Sequence, residues 1–463
     1  MLEKFANIFR IPDLRRRVLF TLGVLFVYRL GGHITTPGVN VTALEQFFNS
    51  QAGSSLGLVD LFSGGNLRRL TIFALGIMPY ITASIIFQLL TVVYEPLAKL
   101  QKEGELGRRK ITQWTRYVTI LLGIVQSMAI ALALQSSSGN MVLDPGPGFI
   151  FMTVLTLTAG TAVVMWLGEQ ITDRGIGNGM SLLIFAGIVV GLPSGIAELV
   201  DTIHTQKFGA LTVPAVVLLI VGMLAVVAFI VYVESAERRI PVQYAKRIVG
   251  RRLMGGQSTH LPLKVNSGGV MPIIFAASVL SAPLLFAQST FVRNSGPLSR
   301  IFAALAPGEP WYEFIYIVAI VFFAYFYISI VFRPDDIADN MRKYGGFIPG
   351  IRPGKRTSDY VNDILTRITL VGALYLVVVA LIPQLLISGI HFNHLPLVGG
   401  WFEHLPLWVT NGMGFNFYFG GTSLLIVVGV AMDTVNQVES QLIMRHYEGF
   451  SARSGRTRGR RAW

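Results

Sequence analysis

The chain has no cysteine among its 463 residues, which excludes disulfides, thiolate-bound metals and iron–sulfur clusters from its chemistry. It is also poor in charge. Asp, Glu, Lys and Arg make up 14% of it, against roughly 25% in an ordinary soluble domain. With 52% hydrophobic residues, there is too little polar surface to face water on all sides. No Ser/His/Asp set and no paired carboxylates occur inside the apolar runs, so no catalytic constellation is visible and the chain does not read as an enzyme.

What is present is a series of about ten apolar runs, near 16–35, 70–93, 117–135, 149–168, 180–197, 211–233, 268–289, 312–332, 368–388 and 415–432. Runs of this length match the hydrocarbon thickness of a bilayer. The expected fold is therefore an all-α polytopic membrane protein. The interiors of runs two to ten hold no Asp, Glu, Lys, Arg or His; Glu169, Glu234, Glu313 and Asp433 fall at or just past the ends. Ion-coupled transporters place ionisable groups near the midplane, where the coupling ion needs a partner. Their absence argues against a solute transporter and fits a pore closed by an apolar constriction. A membrane-embedded enzyme would need a buried catalytic group, and none is present.

The net charge of +13 is concentrated on one side. Ten crossings place both termini together. The segments on that side carry 32 of the 38 Lys and Arg; the opposite segments carry 5, and Arg29 lies in the first run. Basic loops stay cytoplasmic, so both termini are expected there. The basic start (Lys4, Arg10, Arg15, Arg16, Arg17) has no small-residue cleavage site after it and reads as retained. Two large basic loops, about 234–267 and 333–367, hold seven Lys or Arg each. They serve topology and attraction to anionic lipids, or form a docking surface for an RNA-rich or acidic partner.

Residues 56–70, with Gly64-Gly65 in the middle, are too short and polar to span. They form either an external amphipathic loop or a half-helix lining a protein cavity. Gly76-Ile77-Met78-Pro79 interrupts the second run and Gly269-Val270-Met271-Pro272 the seventh. These are corresponding helices of two five-helix halves and point to an inverted repeat, unless the match is chance. Gly175-Ile176-Gly177-Asn178-Gly179 looks like a phosphate loop but lacks a preceding strand, and reads as a tight turn between helices. Gly354-Lys355-Arg356 lacks Walker spacing. His391, His394 and His404 beside Glu403 match no standard metal site, so no metal and no cofactor is expected.

These blocks carry a resemblance. Phe62-Ser63-Gly64-Gly65 followed by residues 72–81, Gly107-Arg108-Arg109-Lys110, residues 166–179, 257–266, 347–354 and 418–427 closely resemble the SecY family, the central subunits of the bacterial Sec protein translocase. The likeness runs from about Leu14 to Tyr447. It implies a gated protein-conducting channel that passes unfolded polypeptides across the bacterial plasma (inner) membrane or releases apolar segments into it. Two pseudo-symmetric five-helix halves would surround an hourglass pore. The expected organisation is 1–17 as an N-terminal segment, 18–200 as the first half, 201–432 as the second and 433–463 as a basic tail.

Carried over by motif, the pore ring would be Ile77, Ile81, Met180, Ile184, Ile274 and Ile426. Ile77/Ile81 and Met180/Ile184 are i,i+4 pairs, each on one helix face. The plug would span about 57–70, including Leu61, Phe62, Ser63, Gly64 and Gly65. Thr82, Gln88, Gln126 and Asn266 would be polar groups of a lateral gate. Arg238, Arg239, Arg251, Arg252 and Arg352 would dock the ribosome and a SecA-type motor ATPase. The other implied partners are SecE- and SecG-type small subunits, secretory and membrane-protein precursors, and anionic lipids.

Overall fold

The computed structural model describes residues 11–50, 60, 63–136, 141–205, 212–244, 247–249, 252–254, 258–287, 305, 309–388 and 421–451. A helix lies on each of the ten apolar runs. In chain order the described helices are α1 (Pro12–Gly31), α2 (Val41–Ser50), α3 (Met78–Val93), α4 (Glu95–Lys102), α5 (Glu105–Ser136), α6 (Pro147–Arg174), α7 (Gly179–Val190) and α8 (Leu192–His204). They continue as α9 (Thr212–Ser235), α10 (Met271–Ala287), α11 (Pro310–Val331), α12 (Pro334–Lys343), α13 (Lys355–Ser388) and α14 (Gly421–Ser451). Proline stands in the first turn of α1, α3, α4, α6, α8, α11 and α12. There its missing N–H costs nothing and its fixed φ favours the helix start.

Among the described residues five helical segments are long and apolar enough to cross a bilayer, one running from α7 into α8 and another from α11 into α12, or six if α3 and α4, bent by 100° at Tyr94, count as one. The helices packed in sequence order match between the two parts of the chain. α3 packs on α5, α5 on α6 and α6 on α7; likewise α10 packs on α11, α11 on α13 and α13 on α14. The two sets meet in two places, where α10 packs on α3 and α5, and where α7 packs on α14.

The glycine–proline breaks repeat in three dimensions. Gly76 has φ +54° and Gly269 φ +56°. Each stands two residues before the first helical residue, Met78 or Met271, with proline next. A left-handed backbone is strained for any residue with a Cβ, so both breaks need glycine for one reason. The same backbone conformation at matching points is what an inverted repeat requires.

The structure corrects the second run. Helix begins only at Met78; residues 64–77 are successive turns. This stretch is not an exposed loop, because Leu67, Leu70, Phe73, Ala74 and Leu75 are buried; just before it, Asp60 and Ser63 are helical. Irregular backbone inside a membrane protein must have its polar groups satisfied by protein. Here Thr36 N donates to Leu70 O (2.9 Å), Ile72 N to Ile34 O (2.9 Å), Thr71 N to Asn66 O (3.0 Å) and Gly76 N to Phe73 O (2.8 Å).

The large basic loops are not irregular throughout; they carry the few short strands of a helical fold. β1 (Glu237–Tyr244), β2 (Arg247–Val249), β3 (Arg252–Met254), β4 (Ser258–Lys264) and β5 (Gly346–Phe347) lie within them. β1 pairs antiparallel with β4, from Glu237↔Lys264 to Gln243↔Ser258, and with β5 through Gln243↔Phe347. The two loops therefore share one three-stranded sheet. Ile240 and Val242 alternate inward and pack with Leu263, Ile348, Val361 and Leu365, as period-two strands require.

Candidate functional site

Ile77, Ile81, Ile184, Ile274 and Ile426 all belong to one buried apolar cluster, and Met180 packs against it half-buried. They come from the entry to α3, from α3, and from α7, α10 and α14. None is more than 6% exposed except Met180. The sequence-predicted ring residues are thus brought together from both parts of the chain. Phe275 and Leu183 share that core, so the cluster is thicker than the six residues alone. Met180 Sδ lies against Gly168 of α6, where a Cβ would approach to 2.5 Å; its unbranched side chain fills a gap that a branched one would crowd.

Ser63, Gly64 and Gly65 lie beside this cluster; Leu61 and Phe62 fall outside the described residues. A Cβ on Gly64 would meet Cα of Gly187 at 2.6 Å, so the turn rests directly on the α7 backbone. Gly187 follows Ile184 by three residues, about 4.5 Å along the helix. The turn therefore sits roughly one helical turn beyond Ile184, on the side away from the basic loops.

Its shape is fixed locally. Ser63 Oγ donates to Asp60 O (3.0 Å), Arg68 N donates to Asp60 Oδ1 (2.9 Å), and Asn66 Nδ2 donates to Ser63 O (2.6 Å) and reaches Tyr28 Oη (3.4 Å). Tyr28 stacks on Phe73 with ring centroids 5.6 Å apart. Arg69 Nε pairs with Glu45 of α2 at 3.0 Å. The polar residues Asp60, Ser63 and Asn66, unusual in an apolar interior, serve the turn itself.

The four polar gate candidates do not bond across the α3/α5–α10 seam. Thr82 Oγ1 donates to Met78 O of its own helix (3.1 Å), and Gln88 Nε2 to Ser84 Oγ of its own helix (3.1 Å). Gln126 is buried with no partner for Oε1 among the described residues. Asn266 Nδ2 donates to Glu234 Oε1 (2.6 Å) and to Gly269 O (3.1 Å), joining the end of α9 to the start of α10. Ser278 Oγ donates to Ile274 O of its own helix (2.7 Å) while lying 3.9 Å from Met78 Sδ across the seam, a contact weak by the nature of sulfur. Sequence reading missed Ser278. Its position one turn after Ile274 is the signal that marks it, since i and i+4 share a face.

Arg238 and Arg239 stand exposed on β1, Arg239 Nε pairing with Glu237 at 2.7 Å. Arg352 is exposed in the turn before α13. Arg252 begins β3; Arg251 lies outside the described residues, as do His391, His394, His404 and Glu403. No group of three or more His, Asp or Glu suited to a metal occurs among the described residues.

A polytopic helical membrane protein with a charge-free apolar waist between two like sets of helices, and a buried turn seated on it, has the architecture of a channel. The chain belongs to the SecY family: the family model matches residues 71–435. It is 48% identical to the protein translocase subunit SecY of Streptomyces galbus, over 97% of this chain and 100% of that protein. It is also 48% identical to that of Escherichia coli K12, over 94% and 93%. A solved structure described as the plug domain of SecY stabilising the closed state of the translocation channel and maintaining a membrane seal superposes with a TM-score of 0.64. It covers 93% of this chain and 92% of that one at 19% identity.

Proposed function

We propose that this chain is a gated protein-conducting channel in a bacterial plasma membrane, with both termini and the basic loops on the cytoplasmic side. The observation that carries the reading is the gathering of Ile77, Ile81, Ile184, Ile274 and Ile426 in one buried apolar cluster that holds no Asp, Glu, Lys, Arg or His. Such a waist excludes water and ions at rest by dewetting, yet it has no fixed polar site with which to select a solute.

Residues 18–200 and 201–432 act as the two halves, and residues 57–70 as the plug resting on the outer side of the ring. α3 and α5 part from α10 to open the waist and give lateral access to lipid. Opening needs a ligand that stabilises the open state more than the closed one, and an apolar signal sequence entering the seam supplies that difference. In the closed seam Thr82 and Gln88 bond within α3, so packing holds it rather than a polar clasp. Thr82, Gln88 and Gln126 become available to an incoming segment.

Arg238, Arg239, Arg251, Arg252 and Arg352 present guanidinium groups suited to RNA phosphate or to carboxylates. They fit a ribosome, a SecA-type motor that supplies the energy, and anionic lipid. SecE- and SecG-type subunits complete the complex. Membrane vesicles holding this chain with those subunits and the motor are expected to convert an added signal-bearing precursor to a protease-protected form when ATP is present. Uptake of a small solute with no protection of precursor would overturn the proposal.

A further inference from the structure

The glycine turn between α6 and α7 has a role that neither the waist nor the plug accounts for. Three N–H groups of the turn go to side-chain oxygens on three different helices. Ile176 N donates to Thr21 Oγ1 of α1 (3.1 Å), Gly177 N to Gln437 Oε1 of α14 (3.1 Å) and Gly179 N to Thr172 Oγ1 of α6 (3.0 Å). Met180 N then donates to Asn178 Oδ1 (3.1 Å). Donors committed in this way leave no anion-binding nest, which settles the phosphate-loop likeness. Beside them, the buried side chain of Ile176 packs with Leu14 of α1 and against Val438 and Leu442 of α14. The turn is therefore a knot tying the start of α7 to α1 within one half and to α14 of the other.

That knot lies on the two helices that carry the waist residues Ile184 and Ile426. Gln437 follows Ile426 by eleven residues, about 16 Å along α14. α7 and α14 are thus held together at two heights, by isoleucines at the waist and by the turn nearer the basic loops. The halves also meet at the α3/α5–α10 seam, where Thr82 and Gln88 bond within α3 instead of across it. Two contacts of unequal kind give a hinge and a mouth. We propose that Gln437 is a positioning residue for the waist: by holding Gly177 it fixes the spacing of α7 and α14, so that opening is confined to the seam with α10. This rests on the channel reading above.

Only the acceptor oxygen of Gln437 is used, and its orientation is assigned by the backbone donor it faces. The side chain is exposed, so substitution leaves no core cavity. Gln437→Leu keeps the size and removes the acceptor, whereas Gln437→Glu keeps an acceptor and strengthens it by charge. The measurement is resting ion leak in membrane vesicles where each variant is the sole SecY-family chain, normalised to folded complex, with transport of an intact precursor assayed alongside. Gln437→Leu is expected to raise the leak about two- to twelvefold, the range for one neutral hydrogen bond, and to pass precursors with weakened signals. Gln437→Glu is expected to leak no more than the parent.

If Gln437→Leu leaks no more than a parent that still transports precursor, the latch is wrong and the channel reading stands. Equal leaks from the Leu and Glu variants overturn it too, because the acceptor would then not matter. A parent that transports nothing brings down both.

Discussion

Replacing Gly64 with valine is expected to unseat the turn and open the resting channel. A Cβ at this position would lie 2.6 Å from Gly187 Cα, and the obstacle is backbone, which cannot rotate away as a side-chain tip can. The residue also has φ +73°, where a β-branched side chain costs about 1–3 kcal/mol. Both penalties fall on the closed state and are relieved when the turn leaves α7. At 1.4 kcal/mol per tenfold, the closed-to-open ratio should fall about ten- to a hundredfold, read as ion leak in vesicles and export of precursors with disabled signals. Gly104→Ala is the control: it also has positive φ, +81°, but open space around its Cβ. It should show the backbone strain as a lower Tm and no leak. A tight Gly64→Val channel would remove the plug role from residues 63–70.

The second large effect is expected from Ile184→Asn. Ile184 is 3% exposed in the shared cluster. Asparagine there would bury an amide among isoleucines, at a cost of about 1–3 kcal/mol when its bonds are unmade. In a gating waist that cost is relieved by admitting water, so the variant should fold, conduct ions at rest and relax the demand on the signal sequence. Were Ile184 ordinary helix packing, the same change would lower Tm without conductance. Ile184→Leu, which keeps volume and apolarity, should stay sealed. Leak and melting temperature on the same preparations separate the two cases.

Much of this was legible in the sequence because a bilayer imposes simple rules. Apolar runs and the bias of Lys and Arg report the helices without any long-range information. The glycine–proline breaks were legible as a pair, and the positive φ shared by Gly76 and Gly269 was not. Residues 64–77 were not legible. An apolar run that starts at Leu70 reads as helix from its first residue, and hydropathy cannot distinguish helix from buried turns that accept a hydrogen bond from Thr36 N and donate one to Ile34 O. The strands of the basic loops were hidden for a related reason: Pro241 and the arginine pairs obscure the alternation of Ile240 and Val242.

Polar residues were the least readable. Asn266 reads as a gate residue by motif, but its partner Glu234 stands 32 residues away in sequence, and no local pattern announces the pairing. Thr82 and Gln88 carry groups able to cross a seam, yet Thr82 satisfies itself one turn back along its own helix, as Thr commonly does in helices. Gln437 and Thr21 carried no signal at all, since each matters only through the turn it holds.

The most direct test of the channel account uses the absence of native cysteine. Single cysteines at Ile77, Ile184 and Ile426, on the entry to α3, on α7 and on α14, can each be tested for crosslinking to a precursor stalled midway through vesicle membranes. The account predicts crosslinks from all three positions, lost when ATP or the signal sequence is withheld. A precursor that becomes protected while touching none of them would contradict it, because the polypeptide would then be crossing somewhere other than the apolar waist.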